Sequence, residues 1–388
     1  MMRLFVNCLS ASAGGGLTYA RNVIPLMAGD PDLRVTVAVS AGLRQELANC
    51  SNVDFVEIES SPGRRFWLEQ SQLPLLIRKA QSDILLSAGN FALRNAPVPQ
   101  ILLSRNSLYT SSDFYRDLAS RGEYRAWLDT RLKGWLARKS TEWADVTVAP
   151  SAAFAHELEQ WTGRPIRAIY HGFDSHTFSS DESPLTEDVV QKLRDAEGAL
   201  RLLFVSHYNY YRNFETLLKA LPLLQERLAP RPVRLLLTCK LVKGRNPGSY
   251  NPEKAAKLIQ EMGVSEMVVE LGSIPYARLH HVYRNADIYV TPAYTETFAH
   301  PLVEAMASRL PIAASDLPVH REICGDAAVY FPRFSAEGLA TAVAQVAGCP
   351  DQRRGMLDAG TVRVSQFSWK THVQEIASLA RTLIDQRI

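Results

Sequence analysis

Short, unbroken apolar runs alternate with amphipathic stretches along this chain, and the whole pattern runs twice. The first half carries "RLFVNCL", "RVTVAVS", "DILLSAG", "QILLSRN" and "DVTVAPS". Runs that are apolar at nearly every position, rather than at every second one, belong to strands covered on both faces. The segments between them read as helices, so each half predicts a parallel sheet wrapped by helices. The pattern pauses over 172–198, "GFDSHTFSSDESPLTEDVVQKLRDAEG", which is polar, acidic and carries Pro184. It resumes with "LRLLFVSH", "VRLLLTCK", "MVVELGS", "ADIYVTP" and "LPIAAS". A length of 388 residues also exceeds the roughly 100–200 of one domain. The expectation is two Rossmann-like, doubly wound α/β domains, 1–175 and 195–367, facing across a cleft. The last amphipathic segment, 368–388, is expected to pack back on the first domain. In open α/β sheets ligands bind beyond the carboxyl ends of the strands, so site residues are sought in the loops that follow strands.

Composition removes several classes of function. Hydrophobic residues make up 46% and charged residues 21%, the balance of a globular chain with sizeable cores. A net charge of +3 is too small to suggest nucleic acid as a partner. Five cysteines (Cys8, Cys50, Cys239, Cys324, Cys349) form no C-x-x-C pair. That disfavours a zinc site and a disulfide framework and fits a reducing, cytoplasmic setting. "MMRLFVNCLSASAGGG" reads as a first strand and loop, without the apolar core of a signal peptide. No apolar run approaches the ~18 residues of a membrane span. No D-x-D element stands out, so neither a metal nor another cofactor is expected.

Two loops carry chemistry. Gly14, Gly15 and Gly16 follow the first strand and open a helix. Glycines there allow close backbone approach, and a helix start offers N–H groups to an anion. A tight strand-to-helix turn explains them equally well. The second loop is "TPAYTETFAHPLVEAMASR", which sets Glu296 and Glu304 eight residues apart. Pro301 suits a first helical position. Glu296 then belongs to the loop and Glu304 to the first helical turn, with the N–H groups of about Phe298 to Val303 between them. Flanking carboxylates around an anion-binding terminus fit a ligand with a diphosphate in the middle and hydroxyls at both ends. The alternative for Glu304 is simple complementation of the helix dipole.

Over 286–331, "ADIYVTPAYTETFAHPLVEAMASRLPIAASDLPVHREICGDAAVYF", the chain resembles the retaining glycosyltransferases of family 4, which have the GT-B fold. Their E-x7-E hallmark falls on Glu296 and Glu304. "VVELGSIPYARLHHVYRNADIYV", "IYHGFDSHTF" and "LLFVSHYNYYRNFETLLKAL" extend the likeness, and it is weaker in the N-terminal half. The resemblance implies a metal-independent hexosyltransferase. It would move a hexose or deoxyhexose of mannose, rhamnose or glucose type from a nucleotide-diphosphate sugar to a glycan or lipid-linked acceptor in polysaccharide biosynthesis. Glu296 would bind the transferred sugar and Glu304 the ribose. Amides and side chains of Thr297, Phe298, Ala299, His300, Leu302 and Val303 would hold the sugar and diphosphate. Ser273 and Ile274 would line the base pocket, and Gly15 and Gly16 would face the diphosphate.

The departures from the family pattern matter. Ser206 and His207 stand where relatives carry Gly-Arg, and Arg212 stands where they carry Lys, so His207 and Arg212 are the expected diphosphate contacts. Lys240 or Arg105 would compensate for the missing first cation. Arg105 and Asn106 replace the His-Asp of many relatives and, with Glu296 and Arg212, complete the expected catalytic set. Ala299 replaces a usual Gly. His171 reads as linker structure and His300 as a helix cap. The missing cation also leaves open a catalytically silent sugar-nucleotide-binding protein. Finally, 121–143, "RGEYRAWLDTRLKGWLARKSTEW", combines six basic residues with Trp127, Trp135 and Trp143. As a helix it aligns Tyr124, Leu128, Leu132 and Leu136 on one face. Either that face packs on the first sheet, the reading preferred here, or it makes a peripheral membrane contact.

Overall fold

Among the described residues thirteen strands form two sheets, and every strand pairing is parallel. The structure is a computed structural model and describes residues 1–11, 14–59, 63–246, 248 and 250–386. Ser12 and Ala13 of the glycine loop, and the last two residues of the 368–388 segment, lie outside the described residues. The chain divides into two units. One holds Met1–Ser111, Leu118–Gly172 and the chain from Ser368 on; the other holds Ser112–Asp117 and Phe173–Phe367.

The first unit is built on β1 (Met2–Asn7), β2 (Leu33–Val39), β3 (Val53–Glu57), β4 (Ile84–Ser87), β5 (Gln100–Leu103), β6 (Val146–Ala149) and β7 (Arg167–Ala168), in spatial order β3-β2-β1-β4-β5-β6-β7. Successive strand residues point to opposite faces, and both faces are covered. Leu4, Val6, Leu86 and Ile101 pack against Tyr19, Val23 and Ile24 of helix Gly14–Ala28 and against Val373 and Ile376 of helix Trp369–Asp385. Phe5 and Leu85 on the opposite face meet Leu73 and Ile77 of helix Arg65–Lys79. Chain order departs from spatial order between β1 and β4, the switch point where such sheets open a crevice.

The second unit repeats the plan with β8 (Leu200–Phe204), β9 (Val233–Leu237), β10 (Val268–Glu270), β11 (Ile288–Thr291), β12 (Ile312–Ser315) and β13 (Ala328–Phe331), ordered β10-β9-β8-β11-β12-β13. Its switch point lies between β8 and β11. Helix Phe214–Leu228 buries Leu217, Leu218, Leu221 and Leu224 against this sheet. Ser112–Asp117 is fastened to the same unit: the Tyr294 hydroxyl donates to Asp117 at 2.9 Å, and Arg333 pairs with Asp113 at 3.0 Å.

One expectation is overturned. The apolar face of 121–143 does not pack on the first sheet. Helix Tyr124–Trp143 buries Thr130, Gly134, Ala137, Ser140 and Thr141 and exposes Tyr124, Leu128, Leu132 and Trp135. The small residues let the helix backbone approach the layer beneath, which turns the bulky stripe outward.

Within the first unit, a Cβ on Gly172 would sit 1.9 Å from the Trp369 backbone nitrogen. Backbone on backbone cannot be relieved by a rotamer change. Gly172→Ala is therefore expected to destabilise the protein by at least ~2 kcal/mol, read as a lower urea midpoint at unchanged slope.

Candidate active site

The loops at the carboxyl ends of β8 and β11 bring opposite charges together in the second unit. After β8 the chain makes a short helical turn, Tyr210–Arg212, and Asn213 adopts the left-handed conformation (φ 56, ψ 47) before helix Phe214–Leu228 begins. Asn tolerates that conformation better than most residues. Its amide donates to the Pro292 carbonyl at 3.0 Å, and the Tyr294 N–H donates to the Tyr211 carbonyl at 3.1 Å. These bonds tie the loops after β8 and β11 together at the switch point. Arg212 and Glu296, 84 residues apart, meet there: Nη1 lies 2.5 Å from Oε2. Both side chains are largely buried, with 17% and 11% of their surfaces exposed. Burial pulls the Arg212 guanidinium down, but Glu296 foremost, with Tyr211 and Tyr289, raises it above its ordinary value. The Arg212 Nε is buried without a hydrogen-bond partner among the described residues.

Glu304 is placed differently from the expectation. The helix runs His300–Ala307, so Glu304 lies in its second turn, not its first. Its carboxyl is buried and accepts a hydrogen bond from the Tyr283 hydroxyl at 2.8 Å. Burial pushes its pKa up to about 7, although the Tyr283 bond opposes the rise. It therefore does not stand ready as a solvent-facing clamp. A position in the second turn also weakens the helix-dipole explanation, because that interaction fades beyond the first turn.

Between the glutamates the backbone is partly engaged. The Thr297 N–H donates to the Glu296 carboxylate at 3.3 Å, and the Leu302 N–H to the Ala299 carbonyl at 2.9 Å. Phe298, Leu302 and Val303 bury their side chains, so only their main chains can meet a ligand. His300 is the first helical residue and follows the cap position. Ala299 is the cap position, with φ 63 and ψ 61, the region in which a side chain is strained and Gly is not.

The other expected donor contacts lie in the loops that follow β8, β9 and β10. His207 is exposed, and burial of part of its ring, then the Arg212 charge, hold its pKa below the usual value. A neutral imidazole is not a standing substitute for the missing cation. Lys240 is exposed after β9, with its stem against Gly272. Ser273 and Ile274 follow β10, exposed and half-buried. Asn246, absent from the expected set, joins two of these loops: it accepts from the Tyr208 N–H at 3.3 Å and donates to the Lys240 carbonyl at 2.7 Å. Tyr283 was likewise missed, and no pattern in "LHHVYRNA" points to it.

In the first unit, Arg105 does not present a free guanidinium. It donates to the Gly15 carbonyl at 2.9 Å and to the Ala88 carbonyl at 2.7 Å, and lies over the Tyr19 ring at 5.1 Å. These bonds brace the glycine loop. Asn106 accepts from the Leu108 N–H at 3.1 Å through its side-chain oxygen and so caps the turn Ser107–Tyr109. Gly14 is left-handed at φ 56, and a Cβ on Gly16 would lie 3.2 Å from Ala11 Cα and 3.3 Å from Arg105 Nη2. Gly15 has no such crowding.

With two doubly wound sheets and a polar switch-point site established, sequence comparison identifies the family. The model described as Glycosyltransferase Family 4 matches residues 13–177, and that of glycosyl transferases group 1 matches 186–362. The chain belongs to the group 1 glycosyltransferases of family 4. It is 26% identical over 242 residues to the D-inositol 3-phosphate glycosyltransferase of Corynebacterium aurimucosum, covering 61% of this chain and 56% of that protein. It is 28% identical over 219 residues to the phosphatidyl-myo-inositol mannosyltransferase of Mycolicibacterium smegmatis, covering 55% and 51%. The matches thus span little more than half the length of these curated relatives. Among solved structures, the sucrose-phosphate synthase of Thermosynechococcus elongatus superposes with a TM-score of 0.75 at 17% identity, covering both chains fully. Anabaena HepE in complex with UDP-glucose gives 0.74 at 15% identity, over 98% of this chain and 100% of that one. These likenesses establish the fold.

Two stability outcomes follow. Glu304 binds a proton more tightly folded than unfolded, so its contribution to stability is full below about pH 4.5 and is lost as pH rises through about 7. Glu304→Gln should accordingly match the wild type at about pH 4 and exceed it by roughly 1–3 kcal/mol at about pH 8, measured by urea melts at both pH values. Ala299→Gly removes left-handed strain of about 1–2 kcal/mol against an unfolded-chain cost of about 0.5–1 kcal/mol. A net gain of roughly 0.5–1 kcal/mol is expected, read as a higher melting temperature.

Proposed function

We propose that the protein transfers a hexose or deoxyhexose from a nucleotide-diphosphate sugar to a glycan or lipid-linked acceptor, with retention of anomeric configuration and without a metal. The observation that carries this reading is the Arg212–Glu296 pair at the β8/β11 switch point. It puts a cation fit for a diphosphate and a carboxylate fit for sugar hydroxyls side by side. Family membership and the names of the relatives support sugar transfer. HepE's complex with UDP-glucose supports a nucleotide sugar as donor.

In this mechanism the anomeric C–O bond to the diphosphate breaks while the acceptor oxygen bonds the same face. The acceptor proton passes to the departing phosphate oxygen. Arg212 stabilises the leaving group, Lys240 in the loop after β9 adds a second cation, and the main chain from Thr297 to Val303 helps hold the sugar and diphosphate. Glu296 positions the sugar. Glu304 would turn to the ribose only on giving up Tyr283 and its proton. A silent, binding-only protein is the rival, favoured by the neutral tendency of His207 and by the use of Arg212's charge on Glu296.

Incubation with UDP-, GDP-, dTDP- and ADP-sugars and glycan or lipid-linked acceptors, reading released nucleoside diphosphate, separates the two. Turnover is expected, and Glu296→Gln should lower kcat by about 10²–10³ with circular dichroism unchanged. Donor binding without release under every acceptor would establish the silent reading.

A further inference from the structure

The first unit carries an outward surface that no part of the donor site uses. Helix Tyr124–Trp143 exposes Tyr124 (69%), Leu128 (64%), Leu132 (64%) and Trp135 (57%). At 3.6 residues per turn this row occupies one narrow stripe, roughly 30 Å long over the whole helix. Arg125 lies along one edge of the stripe and Arg131 and Arg138 along the other, all exposed. Arg131 also stands 5.1 Å from the centre of the Trp127 ring. A second helix repeats the arrangement. Arg65–Lys79 turns Leu73 and Ile77 inward and leaves Trp67 (72%) and Leu75 (65%) exposed, with exposed Arg64 before it and exposed Arg78 and Lys79 at its end.

The two helices share one layer. Phe5 pairs with Leu85 across β1 and β4, and Ser87 with Leu102 across β4 and β5, so Phe5, Leu85 and Leu102 point to one face of the first sheet. Leu73 and Ile77 cover Phe5 and Leu85, while Trp143, at the end of the other helix, packs with Leu102. Their outer sides therefore both face away from the same side of the sheet.

We propose that this side of the first unit docks on an anionic lipid surface. Helix Tyr124–Trp143 would lie in the interface and helix Arg65–Lys79 would supply a second contact. Guanidinium groups flank the apolar row along its length, with Trp and Tyr in the row itself. That is the layout of an in-plane interfacial helix, whereas a protein partner would favour an apolar centre with a polar rim. The chain's net charge is only +3, so the attraction is local to these helices. No helix among the described residues is long and apolar enough to cross a membrane. The proposal stands whatever the second unit transfers.

The test is co-flotation of the full chain with vesicles of phosphatidylglycerol and phosphatidylcholine, against phosphatidylcholine alone. Binding is expected only to the anionic vesicles and should weaken as salt rises. Arg125→Glu with Arg131→Glu should reduce it at least tenfold, as should Leu128→Glu with Leu132→Glu. Trp67→Ala should weaken it several-fold if both helices engage. Every altered site is exposed, and unchanged thermal melts confirm that the fold is kept. No flotation with anionic vesicles, or equal flotation of wild type and the charge-reversed variant, overturns the proposal. So does a concentration-dependent dimer in sedimentation that Leu128→Glu with Leu132→Glu abolishes, since a second copy would then cover this face.

Discussion

The ion pair between Arg212 and Glu296 fixes the geometry of the second unit's crevice. Neither charge is comfortable alone at that depth, because an unpaired buried ion costs several kcal/mol. Each is tolerated because the other is 2.5 Å away. The pairing draws together two loops that leave neighbouring strands, and two hydrogen bonds, from the Asn213 side-chain amide to the Pro292 carbonyl and from the Tyr294 N–H to the Tyr211 carbonyl, hold them there. The carboxylate and guanidinium are thus in place before any ligand arrives. Preorganisation of this kind is where electrostatic sites gain most of their effect.

Glu304 shows how little residue type alone decides. It is the same acid as Glu296, eight residues on, yet among the described residues its carboxyl takes a hydrogen bond from the Tyr283 hydroxyl and pairs with no cation. Glu296 keeps its place through charge pairing. Glu304 keeps its place by holding a proton more firmly, with a pKa near 7. A buried carboxyl with a displaced pKa is a standing cost to the fold, and such groups concentrate where a protein uses them. The helix dipole does not account for it, since the helix begins at His300.

Much of this was legible in the sequence, for identifiable reasons. Strands covered on both faces leave unbroken apolar runs, so runs such as "RVTVAVS" and "DVTVAPS" gave the parallel sheets directly. The loop position of Glu296 followed from Pro301, whose preference for a helix start is local. What stayed hidden depended on contacts between distant segments. Nothing near Arg212 indicates that Glu296 will neutralise it, and nothing near Arg105 shows that its donors will be spent on the Gly15 and Ala88 carbonyls. Periodicity showed that 124–143 has an apolar stripe but not which side faces inward. The small residues Gly134, Ala137 and Ser140 decided that, by allowing a closer approach than leucines would.

The two units share a topology but not an electrostatic design. In the first, the switch-point crevice holds a guanidinium satisfied by carbonyl oxygens and an aromatic ring, with no carboxylate paired to it among the described residues. Carbonyl dipoles offset part of that charge, and burial pulls the Arg105 pKa down. In the second, opposite charges cancel at contact distance. A phosphate approaching the first crevice would meet a cation already committed to shaping a loop. One approaching the second would meet a guanidinium paired with a carboxylate that hydroxyls can occupy. Repetition of the fold supplied two crevices, and the side chains after β8 and β11 made one of them chemically distinctive.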